Sequence, residues 1–160
     1  MKDIRVRKLN QYDHLWVTGF LTEHWDSPQI VTRGNIHNAD RLSGFIAETA
    51  NKKTGLITYQ IQNNECEIIS LNSIIENAGI GTALLNAVIE VCSTCRRVWL
   101  ITTNDNLRAI EFYKRRGFKQ KAVYTDAIAE SRKLKPSIPE IGINGIPIRD
   151  EIEFEYILSR

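Results

Sequence analysis

Cysteine is scarce in this chain, with Cys66, Cys92 and Cys95 the only three in 160 residues. Three thiols cannot build a disulfide framework. Cys92-x-x-Cys95 has the spacing of a redox pair or of half a zinc site. No second pair exists, however, and His14, His24 and His37 lie far upstream without ligand spacing. The cysteines are therefore read as packing residues, and no metal is expected. Long apolar runs are also missing. Nothing approaches the roughly 20 residues needed to span a bilayer, and Met1–Lys8 is charged and strand-like where a signal segment would be apolar. No membrane partner is expected, and the cytoplasm is the expected compartment. An excess of one charge is lacking too, since 21 Lys and Arg against 19 Asp and Glu leave +2. That is too little to argue for nucleic acid as a partner. The basic clusters Lys114–Arg115–Arg116 and Arg132–Lys133–Lys135 read as solvated faces or, alternatively, as contacts to nucleotide phosphate.

What remains is an ordinary globular composition, and residues 1–160 are expected to form one domain with a substantial core. Ile4, Val6 and Leu9 suggest an opening strand. Asn10 or Asp13 could then cap a helix whose apolar face is Leu15, Trp16, Phe20 and Leu21. Asp26–Arg41, with Pro28, Gly34 and several Asn and Asp, reads as a loop. Leu42–Thr49 and Leu56–Ile61 read as hairpin strands around an Asn51–Gly55 turn. Asn63–Asn64 leads into a third strand, Glu65–Asn72. A helix over Thr82–Cys95 presents Leu84, Leu85, Val88, Val91 and Cys92. The apolar run Val98–Ile101 suits a strand buried on both faces. A helix over Asn106–Arg116 presents Leu107, Ile110 and Phe112–Tyr113. Ala122–Tyr124 is a short strand and Asp126–Leu134 a short helix. Lys135–Arg149 holds three of the four prolines and reads as an irregular late loop over residues 135–150, either docked through Arg149 and Asp150 or closing as a lid. Glu151–Leu158 alternates as a final strand. That strand, if exposed, or the late loop could pair two chains as a homodimer.

The segment richest in chemistry is Glu76–Asn77–Ala78–Gly79–Ile80–Gly81, a glycine turn between a strand and a helix. Gly79 and Gly81 let a diphosphate approach the backbone, and the N–H groups from Ala78 to Thr82 can point at it. Many such turns are mere connections. This one is neither a Walker loop, lacking Lys-Ser/Thr, nor the three-glycine dinucleotide fingerprint. A nucleotide-binding protein of another kind stays open on the turn alone.

Together with residues further along the chain, the turn resembles the GCN5-related N-acetyltransferase (GNAT) superfamily. The family turn reads Gln/Arg-x-x-Gly-x-Gly/Ala, and Glu76-x-x-Gly79-x-Gly81 fills it except at the first position. Asn106, Ala109–Ile110, Tyr113 and Gly117–Phe118 match the family's downstream residues in order and spacing. The resemblance is specific over about residues 43–118. It implies an α/β chain with the acyl-CoA N-acyltransferase fold: a mixed, mostly antiparallel sheet, splayed at its centre, with helices on both faces. It implies acetyl-CoA as cosubstrate, with the pyrophosphate on Ala78, Gly79, Ile80, Gly81 and Thr82 and the pantetheine arm against Leu71, Asn72 and Asn106. Tyr113 resembles the tyrosine that protonates the departing thiolate. A carboxylate at Glu76 facing a pyrophosphate at 4 Å would cost on the order of 4 kcal/mol per like-charge pair at an effective dielectric near 20, so Glu76 is expected to point outward.

The activity so implied is transfer of an acetyl group to a primary amine of a small molecule or a peptide. An amine with a pKa near 10 is neutral in only about one molecule in a thousand at pH 7, so it must lose a proton first. Glu65 and Glu67 share one face of their strand and are both candidates for that base, as is a water chain. Glu23, Trp25 and Arg33 are candidate acceptor contacts, Trp25 through cation–π attraction or simply as a half-buried anchor. A catalytically silent module that only binds acyl-CoA is the alternative.

Overall fold

The computed structural model describes residues 3–158. Its elements run β1 (Ile4–Lys8), α1 (His14–Trp25), β2 (Gln29–Thr32), β3 (Asn35–Asn38), β4 (Ser43–Thr49), β5 (Lys52–Gln62) and β6 (Glu65–Ser73). Then come α2 (Ile80–Val91), β7 (Arg97–Thr103), α3 (Leu107–Arg115), β8 (Lys119–Tyr124), α4 (Ala127–Leu134) and β9 (Glu151–Ile157). Seven strands form one sheet in the order β1-β4-β5-β6-β7-β9-β8. Every neighbouring pair is antiparallel except β6 and β7. The mixed, mostly antiparallel sheet with helices on both faces is the acyl-CoA N-acyltransferase fold.

Alternation along the strands divides two cores between the faces. Ile57, Cys66, Ile68, Val98, Leu100 and Phe154 meet Leu84, Leu85 and Val88 of α2 and Tyr113 of α3. On the other face Ile46, Leu56 and Ile69 meet Val17, Phe20 and Leu21 of α1, and Leu15, expected inside, is 86% exposed. All three cysteines are buried, free thiols. The turns that close the β4–β5 and β5–β6 hairpins place Ala50–Asn51 and Asn63–Asn64 at positive φ, the two-residue geometry that matches strand twist.

Several sequence expectations need correction. Residues 26–41 are not simply a loop. They hold the two-stranded β2–β3 hairpin, turning on Arg33 and Gly34 at φ 48° and 76°. β7 is apolar on one face only, because Trp99 lies beside Arg97 on a face rich in glutamates. β9 is not an exposed edge, since it lies between β7 and β8. The late loop is docked, but not through Arg149, whose side chain is exposed. Arg132 donates to the carbonyls of Ile138, Pro139 and Ile148, Asn104 Oδ1 accepts from the N–H groups of Arg149 and Asp150, and Asp105 accepts from Ile143. Asp150 does contribute, accepting from the Asp126 N–H at 2.8 Å.

Gly55 is not a turn residue either. It lies within β5, where a Cβ would fall 2.6 Å from Ile80 Cγ2 and 3.1 Å from Leu84 Cδ1. Its missing side chain lets the first turn of α2 seat on the sheet. Gly55→Val is expected to lower stability by about 1–3 kcal/mol and to displace Ile80, so coenzyme affinity should fall with it. Denaturant midpoints and a coenzyme A titration on the same variant check both effects.

Candidate active site

Gly79 caps α2 from the left-handed region (φ 81°), and the Gly79 carbonyl takes the first helical bond, from the Ala83 N–H. The N–H groups of Ile80, Gly81 and Thr82 therefore have no partner inside the helix and project from its positive end. They open into a groove of about 280 Å³. Each of Leu71, Asn72, Ala78, Gly79, Ile80, Gly81, Thr82, Asn106 and Tyr113 borders it. A helix end of this kind, with a cation beside it, suits a pyrophosphate.

That cation is Arg116, which nothing in the sequence pattern distinguishes from its neighbours in the basic triplet. Its Nε and Nη2 donate to Thr82 Oγ1 at 2.8 and 2.6 Å and its Nη1 donates to the Phe112 carbonyl at 3.0 Å. The guanidinium lies 3.7 Å over the Phe112 ring. The Thr82 hydroxyl accepts from Arg116 and keeps its own hydrogen for a ligand. Arg116→Ala is expected to weaken coenzyme A binding by about 10- to 100-fold, the worth of one charge-assisted hydrogen bond. Calorimetric titration reads this directly. Glu76 is exposed, but it borders the groove rather than turning away from it, and it is paired there with Arg108, another residue of the groove that sequence pattern does not mark.

The groove runs into an opening in the sheet. β6 pairs with β7 only from Glu65↔Arg97 to Ile68↔Leu100. There β6 carries a bulge: Thr58 faces Ser70 while Tyr59 faces Ile68, so Ile69 is the extra residue. Beyond it β6 stays with β5 while β7 follows β9, and the strands part. Leu71 and Asn72 lie past the fork. Asn72 Oδ1 accepts from Trp25 Nε1 at 2.6 Å, so Trp25 anchors the wall of the groove. Asn106 caps α3 by accepting from the Ala109 N–H at 3.2 Å.

Tyr113 is buried to 6% exposure, its ring held edge-on between Phe112 and Phe118 at centroid distances of 5.2 and 5.3 Å. Its hydroxyl bonds to no described residue, and no fully buried polar side-chain atom among them lacks a partner. The hydroxyl therefore opens into the groove. Burial holds the phenol well above its usual pKa, which keeps it protonated at any working pH.

On the opposite face the two candidate bases are in different surroundings. Glu65, at the start of β6, is neutralised by Arg97 at 3.1 Å and by Arg96. Glu67 is 6% exposed and bonds to no cation. Its Oε2 accepts from Thr32 Oγ1 at 2.8 Å, with Gln60 Nε2 at 3.5 Å from Oε1. Burial raises its pKa, the Thr32 and Gln60 contacts partly offset this, and the charges of Glu153 and Glu151 add to the rise. Glu153 is held by Arg97 and by the Tyr124 hydroxyl, both at 2.7 Å. Glu151 is bonded by the backbone N–H and guanidinium of Arg33, which stacks 3.5 Å over the Tyr124 ring. Arg33 thus lies in the acidic cluster, whereas Glu23 is exposed on α1 and bonds to nothing in it.

A helix N-terminus and a phenol on one side of a splayed sheet, with a cation-free buried carboxylate on the other, define the architecture of an acyl-CoA-dependent transferase. The chain belongs to the GNAT acetyltransferase family, whose model matches residues 9–118. It is 48% identical to the uncharacterized protein YdhI of Bacillus subtilis (strain 168), over 89% of this chain and 91% of that protein. Among solved structures it is similar to a GNAT family acetyltransferase from Elizabethkingia anophelis with acetyl-CoA bound, with TM-score 0.67 and 20% identity over 97% of this chain and 98% of that one. It is also similar to Arabidopsis thaliana NAA60 in complex with a bisubstrate analogue, with TM-score 0.71 and 20% identity over 97% and 98% of the two chains. No helix among the described residues is long and apolar enough to cross a membrane.

Proposed function

We propose that this chain is an N-acetyltransferase that moves an acetyl group from acetyl-CoA to a primary amine of a small molecule or peptide, by direct attack in a ternary complex. The observation that carries the proposal is the groove that joins the free N–H groups of Ile80 to Thr82 to the unpartnered hydroxyl of Tyr113. The residues present fit the coenzyme: a helix end and Arg116 for the pyrophosphate, and the unpaired side of β6 beyond the bulge for an amide-bearing arm. Bound acetyl-CoA would supply an acetyl thioester at the fork of the sheet.

Glu67 accepts a proton from the ammonium form of the acceptor, which frees a lone pair. Backbone N–H groups near Leu71 stabilise the oxyanion as the C–N bond forms. Tyr113 gives its proton to sulfur as the C–S bond breaks, the nitrogen loses its second proton to solvent as the amide forms, and solvent restores the phenol. The acidic face, with Glu67, Glu151 and Glu153 buried behind Arg33 and Tyr124, suits an acceptor that arrives as a cation.

The test is a thiol-release screen with acetyl-CoA against amino acids, polyamines, aminoglycosides and peptide N-termini. Release of coenzyme A dependent on one amine class, with one acetyl added to that amine, is the expected result. Tight binding of acetyl-CoA with no thiol released by any amine would instead mark a silent acyl-CoA-binding module.

A further inference from the structure

The β2–β3 hairpin lies outside the main sheet and sets two side chains against Glu67. Thr32 and His37 are both more than nine-tenths buried. Their polar atoms form a short chain, His37 Nε2 to Thr32 Oγ1 at 2.7 Å and Thr32 Oγ1 to Glu67 Oε2 at 2.8 Å. Gln60 Nε2 lies 3.4 Å from His37 Nδ1.

Hydrogen-bond bookkeeping gives this chain a direction. An ionised carboxylate only accepts, so the single Thr32 hydrogen goes to Glu67. The Thr32 oxygen then accepts from His37 Nε2–H. A neutral imidazole with its hydrogen on Nε2 has a free lone pair on Nδ1, which meets the Gln60 amide donor. Every partner has its role settled by the one before it. Burial holds the imidazolium form down, so the neutral ring is the one present at working pH.

We propose that Thr32 and His37 are positioning residues for the base of the acetyl transfer: they tether Oε2 of Glu67 and leave Oε1, which carries only the long Gln60 contact at 3.5 Å, as the oxygen that meets the acceptor amine. This rests on the reading of Glu67 as the base. The carboxylate is otherwise in surroundings that work against its ionisation. Glu151 and Glu153 face it from β9, answered by Arg33, Arg97 and Tyr124. Glu65 shares its strand face and is answered by Arg96 and Arg97. No lysine or arginine bonds Glu67 among the described residues. The two-step donor chain, together with the longer Gln60 contact to Oε1, favours its charged form, so removing the chain should leave the base protonated further into the neutral range.

The test needs no known acceptor. Side-chain carboxyl ¹³C titration of the intact protein follows Glu67, its signal assigned by absence in Glu67→Gln. Thr32→Val, which keeps shape and removes the hydroxyl, should move the Glu67 midpoint upward by about one pH unit, and Thr32→Ser should bring it back. His37→Leu should move it in the same direction, and His37→Gln, whose amide can donate from the Nε2 position, should restore most of the shift. A Glu67 midpoint unmoved by both Thr32→Val and His37→Leu overturns the proposal.

With an acceptor from the screen, kcat/KM against pH separates the two readings. If Glu67→Gln keeps the wild-type rate and acidic limb, the base assignment fails. If Glu67→Gln removes the limb while Thr32→Val leaves it in place, only the positioning role fails. A purely structural defect in Thr32→Val would lower the rate at every pH, whereas the positioning role predicts recovery above the shifted midpoint.

Discussion

Tyr113→Phe is expected to cut kcat by about 10²- to 10⁴-fold, the range for losing a positioned proton donor. Its affinity for acetyl-CoA should stay within about twofold of the wild type, because the interaction lost is made only in the transition state. The ring is gripped by Phe112 and Phe118 and the hydroxyl bonds to no described residue, so the substitution leaves the packing intact. The pH profile adds a second check. Burial raises the phenol's pKa, so the wild-type acid stays protonated past pH 10 and should impose no basic limb below it. Single-turnover thiol release and equilibrium binding on the same preparation decide the matter. A fall in binding that accounts for the whole loss of rate would end the assignment.

Glu67→Gln is expected to lower kcat/KM by a similar 10²- to 10⁴-fold and to erase the acidic limb of the rate profile. Its effect on stability has the opposite sign. A carboxylate whose folded pKa is raised binds its proton more tightly in the native state than in the unfolded one. Stability then declines as pH rises from the unfolded value near 4.3 through the raised folded value. Above that window the wild type holds a charge the fold disfavours, and glutamine does not. Glu67→Gln should therefore melt at or above the wild-type temperature at pH 8 while being almost inactive. Loss of activity together with a lower melting temperature would point to a structural carboxylate.

The parts of the molecule that were legible in the sequence are those set by local pattern. The strand, glycine turn and helix from Glu65 to Val91 stand close to where periodicity placed them. So do the Asn63–Asn64 turn and the buried thiols. The helix N-terminus and Tyr113 are nominated together by the resemblance of the glycine turn and its downstream residues to the family's motifs. What escaped depended on contacts distant in the chain. Gly55 reads as a turn glycine until Ile80 is seen against it. Arg116 is one of three adjacent cations, and only the fold shows which one reaches Thr82. The β2–β3 strands are four residues each, too short for alternation to stand out among Asn and Asp, although Arg33–Gly34 was a usable turn signal. Glu65 and Glu67 have the same strand face and the same chemistry. They part only because Arg96 and Arg97 neutralise one, while a hairpin from the first quarter of the chain covers the other.

The brief union of β6 with β7, four residue pairs long, makes the sheet two leaves bound along a short spine. One leaf is β1-β4-β5-β6 and the other β7-β9-β8. Bending concentrates where backbone bonds are fewest. The spine at Glu65–Ile68 is thus the natural crease, and the groove lies along the open margin beyond it. A small change of angle between the leaves widens or narrows the slot that separates Leu71 from the strand beyond.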